Sequence, residues 1–249
     1  MELHPMEGVH NWKQFLVHMT IVVIGVCIAI GLEQTVEKIH HMHQRHEFEA
    51  QLREEGLANQ KIVESDLRWM DAQVGWLLDA KSYVDRYRLN HRKGDASFPQ
   101  HPPDDARVNG LVGDADPLMA VWTRGKESGL VSLLPADEAE AYGTVYGLAE
   151  LEIEQDHKSL NFQSEPMAMV AHDREHPILP DLANMSDEEL AAFSLALGRT
   201  YLSWDFQRRL LVMFYGENQA VLDGGESVKR LDQGIAAAFH RFPDRYSAY

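Results

Sequence analysis

The stretch "FLVHMTIVVIGVCIAIGL", residues 15 to 32, contains no Lys, Arg, Asp or Glu, and a run of that kind limits what the rest of the chain can be. As an α-helix rising about 1.5 Å per residue it reaches roughly 27 Å, close to the roughly 30 Å hydrocarbon core of a bilayer. Trp12 and Lys13 stand at its start, where an indole belongs at headgroup level and a lysine can snorkel; Glu33, Glu37 and Lys38 close the other end. Two other readings compete. A cleaved signal peptide would use Ala29 and Gly31 as its small residues, but its n-region would hold one lysine among acidic residues and histidines, and its apolar core would be too long. A buried helix of a soluble domain would show a polar face, and only His18 and Thr20 interrupt this run. The segment is therefore read as a transmembrane helix that stays on the mature chain.

Within it, Gly25 with Ala29 and Cys27 with Gly31 form overlapping small-xxx-small pairs. In lipid there is no hydrophobic force between helices, so close backbone approach at small residues is what drives their association. These four residues are the expected helix-packing positions, toward a second copy or another membrane subunit. Cys27 is the only cysteine, so no intrachain disulfide forms, and its thiolate would be strongly disfavoured among lipid tails.

Beyond the anchor the periodicity is helical throughout, and the fold class expected is all-α: a transmembrane helix continuing into a long stalk and an antiparallel helical bundle. Between Glu33 and Tyr87 there is no proline, and apolar residues recur at Val36, Ile39, Met42, Phe48, Leu52, Ile62, Leu67, Met70, Val74, Leu77 and Leu78. The stretch reads as one long or once-broken helix, with Gly56 the expected place of any bend, where alanine would stiffen a continuous stalk. Residues 93 to 117, rich in Gly, Pro and Asp, read as a long loop. A helix over about 117 to 130 surrounds Trp122, and Pro135 starts another with the stripe Ala139, Tyr142, Tyr146, Ala149, Ile153 and Leu160. Ser186 and Glu189 make a capping box for a third, with the stripe Leu190, Phe193, Leu197, Tyr201, Trp204, Leu211 and Tyr215, ended by Gly224 and Gly225. A short helix over about 226 to 240 is last. The organisation is then a tail (1–14), a transmembrane helix (15–32), a stalk (33–92), a loop (93–117) and a bundle domain packing on the stalk (118–249).

The segment "IVVIGVCIAIGLEQ" at 21 to 34, followed by "QLREEGLANQ" at 51 to 60, resembles the start of a group of bacterial proteins with a single N-terminal membrane anchor, a V-V-I-G-x-x-I-A type segment, and a helical extramembrane domain. "VWTRGKESGLVSLLPADEAEAYGTVY" at 121 to 146 is similar to a W-x-x-x-x-x-x-G-x-x-x-x-L-P pattern in such anchored proteins. The resemblance implies an anchor and a helical body, and no activity. It also implies the bacterial inner (cytoplasmic) membrane, crossed once. Lys38, Arg45 and Arg53 against Lys13 give a small positive-inside vote for a cytoplasmic bundle. The signal-anchored look of the resembling proteins favours a periplasmic one, and long domains translocate largely regardless of charge; the expectation is periplasmic.

Charge and motifs restrict the chemistry. Lys and Arg total 23 against 39 acidic residues, a formal net charge of −16, which disfavours nucleic-acid binding and leaves apolar contact as the route to lipid. No G-x-G-x-x-G, G-x-x-x-x-G-K-[ST] or G-x-S-x-G occurs, so nucleotide cradling and a nucleophile elbow lack support. His40, His41, His43 and His46 follow Glu33 and Glu37. His40, His43 and His46 are candidate ligands for a transition metal or axial ligands for a haem, although weakly charged imidazoles also suit the headgroup zone. Glu37 with His40 and Glu154 with His157 are E-x-x-H pairs of the di-iron type, but Glu154 and His157 flank the stripe residue Ile153 instead of replacing it. His46 and Glu47 begin H-E-x-x-H, and Ala50 stands where the second histidine belongs. The cluster His172, Asp173, Glu175 and His176 before Pro177 reads as a solvated turn. The aromatics Trp122, Tyr142, Tyr146, Tyr201, Trp204 and Tyr215 read as core.

The function expected is a non-catalytic, single-pass membrane protein without a cofactor, an accessory or scaffolding subunit that meets lipids and either itself or other membrane subunits. The alternative is a metal- or haem-binding membrane protein using the juxtamembrane histidines.

Overall fold

The computed structural model describes residues 12–93, 102–103, 116–170, 179–224 and 228–243. These are all-helical, with no strand among the described residues. Five helices follow one another: α1 (Trp12–Lys93), α2 (Ala120–Ser128), α3 (Ala136–Val170), α4 (Asp187–Leu222) and α5 (Val228–Arg241), with 3-10 turns at Leu130–Leu133 and Leu182–Asn184. Two compact units form, one through Glu49 and one from Ala50 onward. The apolar segment and the histidines fall in the first. Residues 50–93 of α1 belong to the second, together with α2 to α5.

In the second unit the buried face of α1 is Val63, Leu67, Met70, Val74, Leu77, Ala80 and Val84, at steps of three and four, the spacing that keeps one helical stripe against its neighbours. Val145 and Ala149 of α3 and Phe193, Leu197, Trp204 and Leu211 of α4 complete the core. Hydrogen bonds set the directions. Arg53 donates to the Leu222 carbonyl, Asn218 to that of Gly56, and Ser194 to Asp85, so α1 and α4 run antiparallel. Contacts of Arg199 with Glu165 and Gln207 with Asp156 make α3 antiparallel to α4 as well.

Local chemistry fixes the helix ends. Ser186 accepts from the Glu189 amide while the Glu189 carboxylate accepts from the Ser186 amide, the reciprocal capping box expected. α4 stops at Leu222, and Gly224 takes a left-handed φ of 79°; Gly225 lies outside the described residues. α2 is shorter than the 117 to 130 expected, because Gly129, also at φ 79°, ends it after Ser128. Its N-terminal amide at Val121 donates to Glu55 Oε2 of α1 (2.8 Å), an acid placed where the helix dipole favours negative charge. α3 continues through Pro166 to Val170.

Two expectations are corrected. Leu160 is 48% exposed and off the core stripe: beyond Ala149 the buried face of α3 runs through Glu152 and Ser159, one position before Ile153 and Leu160, and Ile153 is itself only half-buried. Val36, Ile39 and Met42, in the first unit, are exposed. At Gly56 the helix is unbroken, and the absent side chain serves packing: a Cβ there would lie 3.0 Å from Asn218 Oδ1 and 3.3 Å from a Leu222 methyl. Of the loop expected at 93 to 117, most lies outside the described residues.

Candidate functional site

In the first unit the side chains described between Phe15 and Leu32 are all exposed, among them Ile21, Val22, Ile28 and Leu32 at 58 to 62%. This is the one described helix long and apolar enough to cross a membrane. Gly25 and Gly31 have no atom within 4 Å of where a Cβ would sit, and Cys27 is exposed. At about 100° per residue, Gly25 and Ala29 share one side of the helix, and Cys27 and Gly31 share another, roughly 160° away. The four small residues thus make two faces. The Cys27 face also carries Thr20, whose hydroxyl returns to the Leu16 carbonyl (2.9 Å) and so leaves no unsatisfied donor of its own.

His40, His43 and His46 are exposed along the same helix. His46 Nδ1 lies 3.3 Å from Glu49 Oε2, and Arg45 pairs with the same carboxylate. No three His, Cys, Asp or Glu side chains among the described residues are grouped so as to hold a metal ion. Glu154, of the second E-x-x-H pair, binds Lys158 instead (2.7 Å), and that ammonium holds its carboxyl below the usual range. His172, Asp173, Glu175 and His176 lie outside the described residues.

The second unit holds polar groups that periodicity did not reveal. Arg208 is 1% exposed; its Nε donates to Asp71 Oδ1 (2.5 Å) and its Nη2 to the Phe242 and Pro243 carbonyls, tying the end of α5 to α1 and α4. Asn218 and Gln219 of α4 bond Gln60 of α1 (2.8 and 3.0 Å). Tyr146 stacks on Trp122, with centroids 5.2 Å apart and planes 2° off parallel, and donates to Glu55 (2.7 Å); burial and that acid push its hydroxyl pKa up. Glu152 is 4% exposed. Burial pushes its carboxyl up to about 7; the Gln207 amide donating to it at 3.2 Å works the other way, and Asp156 nearby adds to the rise. Glu217, 5% exposed with no partner for Oε2 among the described residues, is pushed to about 7 by burial and by Asp232 of α5.

Hollows among the described residues accompany these networks. A cavity of about 40 Å³ under Pro166, lined by Gln73, Trp76, Thr200 and Trp204, has room for one or two waters and none for an organic ligand. A groove of about 380 Å³ runs along α4 and α5, floored by Gly216, Ala220 and Gly234 and edged by Arg230, Gln219 and Arg241. Its size suits a small ligand, but its cations already have acceptors: Arg230 bonds the Gly224 carbonyl, and Arg241 bonds Tyr215 and Glu64. The groove exists because Gly216 and Gly234 let two backbones touch. A Cβ on Gly234 would fall 2.3 Å from the Gly216 carbonyl oxygen. Small residues at 216 and 220, and again at 234, 237 and 238, are the sequence signal for it.

No family model, curated protein or solved structure matches this chain.

Proposed function

We propose that this protein is a non-catalytic, single-pass membrane protein whose acidic helical bundle acts as an accessory or scaffolding subunit, held in the bacterial inner membrane with the bundle on the periplasmic side. The observation that carries the reading is the helix segment of residues 15 to 32, apolar, exposed in every side chain described, and bearing small residues on two sides. A segment of that composition is stable only among lipid tails or against another apolar surface. The buried polar groups of the bundle support the scaffolding role, since Glu55 and Gln207 bond across from one helix to another and Asn59 holds the segment before α2 at Leu118.

The single native cysteine gives the test. In isolated membranes, thiol oxidation should link two chains at Cys27 if the Cys27–Gly31 side is the contact, and Gly31→Leu should abolish the link. Release of the full chain by alkaline carbonate without detergent would defeat the anchor.

A further inference from the structure

An apolar stripe lies on the outside of the bundle, away from α1. Leu195, Leu202 and Phe206 of α4 are 56, 65 and 49% exposed, and with half-buried Met213 they follow at steps of seven, four and seven, within about 40° of one another around the helix. The faces of α4 that meet α3 (Thr200, Ser203, Gln207) and α1 (Ser194, Arg208) are other ones. α3 contributes Leu151 and Phe162, 42 and 41% exposed, eleven residues and so about 20° apart. They flank the same seam, because Gln155 bonds Ser203 and Thr200 bonds the Phe162 carbonyl. The α4 positions are those of a coiled-coil a/d row in which Arg199 and Arg209 fill the remaining places.

The charge around this stripe is unlike that of the chain. Its cations Lys158, Arg199 and Arg209 pair with Glu154, Glu165 and Asp205 at 2.7, 3.1 and 3.0 Å, leaving the face neutral on a protein of net charge −16. A neutral seam adds no local like-charge repulsion to the contact of two such acidic bodies. A membrane surface would call for an excess of Lys and Arg, which the face lacks. An a/d row is complementary to itself, as a two-fold contact requires. Five large apolar side chains, each about half exposed, present several hundred Å² together, and with the flanking ion pairs they approach the roughly 800 Å² per partner of a stable interface.

We infer that the outer α3–α4 seam is a homotypic interface: it docks the same seam of a second copy of this chain, outside the membrane. This deepens the scaffolding reading and rests on its self-association. The test uses full-length protein in native membranes with Cys27→Ala, so that any link reports only the new site. Leu202→Cys should give disulfide-linked homodimer on mild oxidation several-fold above Lys61→Cys, an exposed position on α1, and adding Phe206→Glu should remove the excess while helix content by circular dichroism stays unchanged. Equal linking at 202 and 61 would overturn the inference, as would Leu202→Cys linking to a different protein in place of itself. Failure of the anchor shows instead as carbonate release, which leaves the linking result readable.

Discussion

At position 200 one hydroxyl repairs a defect made by a proline. Pro166 has no amide hydrogen, so the carbonyl four residues before it, on Phe162, lacks its usual helical donor. Thr200 Oγ1 of α4 lies 2.8 Å from that oxygen and 3.0 Å from the Ala196 carbonyl. Thr200→Val keeps the shape and deletes the donor. It should lower stability by about 1 to 3 kcal/mol, the cost of an unsatisfied buried polar group, measured by urea titration of the detergent-solubilised chain, while Thr200→Ser should retain most of it. The helical period is legible around both residues, yet this pairing was not. Thr200 and Phe162 lie 38 positions apart, and only antiparallel packing of α3 on α4 brings them together.

Among the elements, α5 depends most on what is missing. Gly216 and Gly234 meet backbone to backbone, and a Cβ on Gly216 would lie 2.6 Å from the Gly234 carbonyl oxygen. Gly234→Ala would raise helix propensity by about 1 kcal/mol in isolation, but the clash is with backbone, which cannot rotate away. The steric cost should win, at about 1 to 3 kcal/mol or more, and appear as faster amide exchange in α5 before α1 or α4. Gly56→Ala belongs to the same class in milder form: its neighbours are the side chains of Asn218 and Leu222, which can shift a few tenths of an ångström. The sequence pointed to Gly56 as a flexible point in an isolated stalk, whereas in the bundle it is a place of close approach. By contrast, the Ser186–Glu189 cap and the α4 stripe were readable in advance, because both depend on residues within a few turns of each other.

For the whole molecule, the buried acids set a pH dependence. Glu152 and Glu217 have folded pKa values near 7 against an ordinary 4.5. A carboxyl whose pKa rises on folding favours the fold while protonated, so its contribution is complete below about pH 4.5 and is lost as pH rises toward 7. Glu152→Gln with Glu217→Gln should therefore melt close to the parent at pH 5 and above it at pH 8; a constant offset at both would show that neither acid titrates in this window. Asp85 works in the opposite direction at lower pH: Lys81 and Ser194 bonds outweigh its burial and hold its carboxyl down.

The sequence by itself determined what local chemistry can determine: an all-helical fold, an apolar segment long enough for a bilayer, helix ends marked by Ser186 and Gly224, and aromatic residues such as Trp122 and Trp204 turned inward. Hydrophobic period and capping act over one or two turns, so they can be read in one dimension. The tertiary structure decided what depends on distance through space: Arg208 sealed against Asp71, the Gly216–Gly234 contact, the acids near neutrality, and the apolar row of α4 left on the outside. Leu197 already fell on the stripe that the helical period assigns to the core, whereas where α1 and α3 pack decided that Leu202 stays 65% exposed on the opposite side.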